Sequence, residues 1–179
     1  MSHSVPSVCG FWREAGPDRW FAKDEAFDAA FRSRFRDAHF AAAQRELDSW
    51  IDGAEGALAL MILLDQFPRN AFRGSAHMFA TDPLARHFAD RAIDRGLDQQ
   101  LEPEVRAFLY LPFSHSEAPA DQERAVALYT ALGSDDLEWA IVHRDVIARF
   151  GRFPHRNALL GRETRAEEQA FLDGGGFSG

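Results

Sequence analysis

An all-α fold is predicted by three features of this 179-residue sequence. Apolar residues recur at helical spacing along most of its length, and capping residues and prolines stand where the periodic segments begin. No five-residue alternating pattern bounded by hairpin turns interrupts them. Phe27, Phe31 and Phe35 fall at i, i+4 and i+8 in a segment from about Asp24 to Leu47, so they share one face as core packing. Asp52, with Glu55 in the capping-box position, predicts the next helix start. Thr81-Asp82-Pro83 predicts another, because proline is preorganised for a first helical turn. That helix should stop at Gly96, after Arg91 and Arg95. Glu102-Pro103 opens one more, Asp135 with Glu138 the next, and Thr164 with Glu167 a last short helix ending in Gly174-Gly175-Gly176. Three stretches, Ala57–Leu64, Ala107–Phe113 and Leu137–Phe150, are apolar around the whole wheel, which places them in the middle of an irregular helical bundle.

Length and composition predict a single all-helical domain spanning residues 1–179, burying roughly 70% of its unfolded-state surface. Sixteen Phe and four Trp exclude disorder, and the lone Cys9 excludes a disulfide scaffold. Twenty basic residues against 28 acidic give a net charge of −8, which argues against nucleic acid or an anionic membrane surface as partner. The first residues carry no basic region followed by a long apolar stretch, and the longest apolar runs fall far short of the ~20 residues that span a bilayer. A cytoplasmic location is expected. All basic residues but Lys23 are Arg, a ratio that codon bias explains. One internal echo stands out: Phe67-Pro68-Arg69-Asn70-Ala71 before Gly74, and Phe153-Pro154-His155-Arg156-Asn157-Ala158 before Gly161. Each copy follows an apolar helix and supplies a proline expected to turn the chain.

Polar groups that break the apolar pattern are the candidates for function. Asp65 ends the first apolar run and projects towards the core near an expected helix C-terminus, so it needs a cationic or hydrogen-bonding partner. Arg69, Asn70 and Arg73 follow it. His115-Ser116-Glu117 follows the second run. In the third, Glu138, Asp145 and Arg149 share a narrow solvated face, whereas His143 and Arg144 fall among Trp139, Ala140, Ile147 and Ala148 and should point inward. Arg152, His155, Arg156 and Asn157 come directly after. From His143 to Asn157 the local charge is +3, leaving −11 on the rest of the chain.

Asp65-Gln66-Phe67-Pro68-Arg69-Asn70, His115-Ser116-Glu117, His143-Arg144-Asp145 and the run from Arg149 to Asn157 resemble the hallmarks of the domain-of-unknown-function family numbered nine hundred and twenty-four. The resemblance extends from Phe11-Trp12 through Arg19-Trp20-Phe21 to Phe171. It implies a tetratricopeptide-like α-α superhelical fold found in bacterial and some eukaryotic proteins, and no particular reaction, substrate or cofactor.

The leading expectation is a small anionic ligand, or the acidic end of a peptide, held by Arg69, Asn70, Arg144, Arg152, His155, Arg156 and Asn157. A protein–protein interaction scaffold is the alternative from fold analogy. A hydrolase-like enzyme is the third reading, with His143, His115 or Asp65 as acid or base. The competing structural roles are an Asp65 ion pair with Arg69 or Arg144 that fixes helix register, and Arg or Asn side chains that cap helix-end carbonyls. No metal site is expected, because no H-x-x-x-H or H-E-x-x-H spacing accompanies His115 and Glu117. No cofactor motif is present. Cys9 has no adjacent cation to activate it, no strand–Ser–helix elbow serves Ser114 or Ser116, and His3, His39, His77 and His87 carry no partner pattern.

Overall fold

The computed structural model describes residues 4–179, and every described element is helical. The chain forms two compact units, Met1–Pro112 and Phe113–Gly179.

In the first unit, α1 (Val5–Ala15) starts at Ser4, whose Oγ accepts from the Ser7 amide, and α2 (Pro17–Trp20) follows. Asp24 caps α3 (Glu25–Ala43) by accepting from the Ala26 and Phe27 amides at 3.0 and 3.1 Å. The Phe27–Phe31–Phe35 face of α3 packs on Phe11 of α1, each ring centroid 5.3 Å away. α3 stops short of Leu47: the chain bends at Arg45, which has φ +70° and grips Asp48 through its guanidinium.

A 3-10 turn (Asp48–Asp52) precedes α4 (Ala54–Met61). The predicted Asp52–Glu55 capping box does not form. Gly53 is the cap residue, Asp52 pairs with Arg95, and Glu55 makes two bonds of 2.6 and 2.7 Å with Arg13 instead. The helix begins against the Trp50 carbonyl, an approach that only glycine at position 56 permits.

Pro68 does not turn the chain. Helical backbone runs on from α4 through a single wide turn (Ile62–Gln66, a π-helix) into α5 (Phe67–Ala71). Proline has no N–H for the carbonyl four residues back and its ring clashes there, and the chain answers by widening. The Phe67 amide bonds the Ile62 carbonyl, five residues back, so Leu63 O loses its usual donor, as Leu64 O does to Pro68. Side chains take over both: His39 Nδ1–H donates to Leu63 O (2.8 Å) and the Thr81 hydroxyl to Leu64 O. Asp65 is thus in mid-helix rather than near a C-terminus. A 3-10 turn (Ala76–Phe79) leads to α6 (Asp82–Asp94), which ends at Arg95 before Gly96 at φ +66°, as predicted. A 3-10 turn (Asp98–Gln100), α7 (Pro103–Arg106) and another 3-10 turn (Ala107–Leu109) complete the unit, and α8 (Leu111–Ser114) stands at the junction.

In the second unit, α9 (Pro119–Leu132) packs along α10 (Leu137–Phe150). A 3-10 turn (Pro154–Arg156) and α11 (Ala166–Asp173) follow. Val146, Ile147, Phe150 and Phe153 form its core, with Phe171 and Phe177 packed against them. The Asp135–Glu138 box is replaced by Ser134, whose Oγ accepts from the Asp136 amide at 3.1 Å. At α11 the predicted Thr164–Glu167 box shifts by one residue: Glu168 reaches back to the Arg165 amide at 2.8 Å.

Candidate functional site

Three expected site residues lie in the first unit, around the wide turn. Asp65 is fully buried and accepts from Gln66 Nε2 at 2.6 Å, while Arg69 Nη1 approaches its Oδ1 at 3.2 Å. Arg69 also donates to the Asp65 carbonyl and, through both terminal nitrogens, to the Asp82 carboxylate at 2.8 and 3.0 Å. Burial works against the Arg69 charge, but Asp65 and Asp82 outweigh it and hold the guanidinium protonated. Asn70 donates to Asp28 Oδ1 (2.7 Å), and Arg73 binds the same carboxylate. His39, fully buried, meets His77 Nε2 at 3.2 Å through its own Nε2. Since its Nδ1 donates to Leu63 O, its neutral ring has the lone pair at Nε2 and His77 Nε2–H is the donor. Burial, with His77 adding to it, lowers the His39 pKa despite that carbonyl bond. Cys9 is buried, its thiol bonded to Glu55 O and its pKa pushed up to about 12 by burial and the Glu55 charge, so it stays protonated near neutral pH.

The remaining candidates lie in the second unit, where they separate into a frame and a cluster. Arg152 makes two bonds to Glu168 at 2.7 and 2.8 Å. Asn157 Nδ2 donates to the same fully buried carboxylate at 3.2 Å, and Arg165 adds an amide and a guanidinium bond. Arg152 leads the groups that hold Glu168 well below the usual carboxylate range, against the opposing effect of burial. Arg144 does not point inward; its guanidinium pairs with its neighbour Asp145 at 2.8 Å. Glu117 takes two bonds from Arg162 at 2.7 and 3.0 Å and one from the Phe153 amide at 2.8 Å, tying the His115 loop to the chain after α10. Burial opposes the Glu117 charge, yet these donors keep its pKa lowered. The Gln122 amide nitrogen donates to the Ser114 and Ser116 carbonyls on either side of His115, fixing that loop from α9.

Within this frame His115, His143, His155 and Arg156 come together on a set of aromatic rings. The His115 and His143 ring centroids are 6.0 Å apart, and His143 and His155 each lie 5.6 Å from Phe153. The Arg156 guanidinium carbon sits 4.5 Å over the Phe153 ring, in a side chain only 6% exposed. His143 Nδ1–H donates to the Trp139 carbonyl at 2.7 Å, so its neutral tautomer has the lone pair on Nε2. His155 Nδ1 is buried without a hydrogen-bond partner. Burial first, then the Arg156 charge and His143, bring the His155 pKa down to about 3, so the ring is neutral near pH 7.

Because the unfolded value is near 6.5, stability that depends on neutral His155 is complete above that pH and is lost as pH falls towards 3. Between pH 7 and pH 5 wild type should lose about 2 kcal/mol more than His155→Asn, measured by urea unfolding at both pH values. Parallel losses would show that His155 titrates like an exposed histidine.

Gln122, Arg162, Glu168 and Phe177 were not among the expected site residues, and Glu117 stood among the polar candidates without the framing role it has here. Glu168, fully buried, carried a legible signal, since it stands three residues after Arg165 at a helix start. Phe177 carried none, because nothing in a sequence pairs a phenylalanine with distant histidines.

These features define an all-helical protein with a partly buried histidine–arginine cluster, and no described helix is long and apolar enough to cross a membrane. The model of a family described as "Bacterial protein of unknown function (DUF924)" matches residues 8–176, and the chain belongs to that family. No curated protein matches the chain. Among solved structures it is similar to ATU0120 from Agrobacterium tumefaciens, described as a protein of unknown function, with 60% identity, a TM-score of 0.93, and coverage of 95% of this chain and 97% of that one.

Proposed function

We propose that the second unit binds a small anionic ligand, or the acidic end of a peptide, at His115, His143, His155 and Arg156. The observation that carries this reading is the gathering of two imidazoles and one nearly buried guanidinium around Phe153, with the His115 ring beside His143. The Arg156 guanidinium is a donor suited to a carboxylate or phosphate, and a neutral His115 or His155 ring carries one N–H each, while the His143 Nδ1–H is already committed to the Trp139 carbonyl. Arg152, Asn157 and Arg144 support the site from its frame or its surface through Glu168 and Asp145. Arg69 and Asn70 act within the first unit through Asp65, Asp82 and Asp28. The motif resemblance supports a tetratricopeptide-like arrangement, a class that offers concave surfaces to peptides. The exposed Trp139, one helical turn before His143, favours a peptide among the ligand forms. The His143 tautomer is also the one a general base requires, and the hydrolase reading rests on it.

A thermal-shift panel of phosphates, carboxylates and acidic peptides tests the binding. A ligand at 100 times its Kd adds about 2.7 kcal/mol, a rise of roughly 5–11 °C for a chain of this size. The shift should disappear in Arg156→Ala that remains helical by circular dichroism, and persist in Arg144→Ala. A flat response across the panel would overturn the reading.

A further inference from the structure

We propose that Phe177 is an internal occupant of the histidine site, and that the ligand is an aromatic carboxylate whose ring takes the place of the Phe177 ring while its carboxylate meets Arg156. This rests on the anion-binding reading above. After α11 the chain folds back through Gly174, Gly175 and Gly176, with the Gly175 amide donating to Leu172 O (3.1 Å) and the Gly176 amide to Phe171 O (2.9 Å). Gly175 has φ +76°, a left-handed conformation that favours glycine. At Gly176 a Cβ would lie 2.5 Å from the Phe171 ring and 2.6 Å from its carbonyl oxygen, so only glycine lets the chain return so closely.

That return sets the Phe177 ring 4.4 Å from His143, 5.3 Å from His155 and 6.2 Å from Phe153, centroid to centroid. The rings meet at 57°, 80° and 57°, the tilted and edge-on geometry that aromatic pairs favour. The site therefore already recognises an aromatic ring, and that ring belongs to a partly buried side chain on a three-glycine tether. Such a tether has wide backbone freedom, so the ring can leave while α11 stays folded. The same Phe153 ring carries the Arg156 guanidinium 4.5 Å from its centroid and the Phe177 ring 6.2 Å from it, so the cation and the ring position border one residue. A ligand with both a ring and an anion satisfies both halves of the site; acetate or phosphate satisfies one.

An internal occupant lowers the apparent affinity of any ligand that must displace it, by the fraction of molecules in which the site is open. Phenylacetate and acetate are therefore titrated by calorimetry into wild type, Phe177→Ala and Gly176→Ala. Phe177→Ala should bind phenylacetate about tenfold more tightly than wild type, and Gly176→Ala, which dislodges the ring by steric force, should do the same. The gain should disappear in Phe177→Ala/Arg156→Gln. Equal or weaker phenylacetate binding in Phe177→Ala, with anions still bound by wild type, overturns the displaced-ring inference and leaves the anion site standing. A tenfold gain for acetate as well as phenylacetate overturns the assignment of the ring to the ligand. Failure of every anion to bind wild type or Phe177→Ala overturns the anion-binding reading itself.

Discussion

Arg69→Ala is expected to destabilise the protein by about 3–5 kcal/mol, the cost of leaving buried carboxylates without their cation. In a chain of this length that is a fall in Tm of roughly 6–20 °C. The variant leaves Asp65, fully buried, and Asp82, nearly so, without the guanidinium that bridges them at 3.2 and 2.8 Å. Water cannot readily replace it at Asp65, so the cost is the desolvation of a carboxylate rather than the loss of a surface pair. Arg144→Ala is the contrast, because the Arg144–Asp145 pair lies between neighbouring residues on the surface and should leave Tm almost unchanged. The pair of variants separates two roles that arginine fills equally well in a sequence. An Arg69→Ala protein with unchanged Tm and abolished anion binding would return Arg69 to the ligand site.

The helical content and the inward placement of Asp65 and His143 were legible in the sequence, because burial follows hydrophobic periodicity, whereas the same rule placed Arg144 inward and missed Gln122 and Glu168. Asp65 was correctly placed towards the core, and Phe27, Phe31 and Phe35 do share a packed face. What Pro68 does was not legible. A proline after an apolar run reads as a stop, and whether the chain turns or widens depends on whether other elements can satisfy the released carbonyls. His39 and Thr81 do so from α3 and from the start of α6, and neither is near Pro68 in sequence. The assignment of arginines to carboxylates was equally hidden. Arg152 and Arg156 stand four residues apart with the same local charge, yet one is tied to Glu168 and the other lies over Phe153 beside the histidines, in the field of Glu117. Only the fold, through α11 and the Glu117–Arg162 tie, decides which is which.

Gly56→Ala should cost about 2–4 kcal/mol, although intrinsic helix propensity predicts a gain of up to ~1 kcal/mol for the same change. The sign is decided by contact: a Cβ at position 56 would stand 1.9 Å from the Trp50 carbonyl oxygen and 2.7 Å from its carbon. Both are backbone atoms, so no rotamer change relieves the overlap. The Asp48–Asp52 turn must move away from α4, and it is not free to do so. Ile51 in that turn is buried, its carbonyl accepts from Arg95 at 3.0 Å, and α4 is itself tied to α1 by the Arg13–Glu55 pair. Gly53, three residues earlier, has nothing within 4 Å of its Cβ position and an extended φ of −140° open to any residue. Gly53→Ala should therefore change stability by less than about 1 kcal/mol. Chemical denaturation of both variants compares the two positions under one set of conditions. Comparable stability of Gly56→Ala and wild type would mean that the Asp48–Asp52 turn yields without loss, and that the close packing of this turn on α4 contributes little to holding the first unit together.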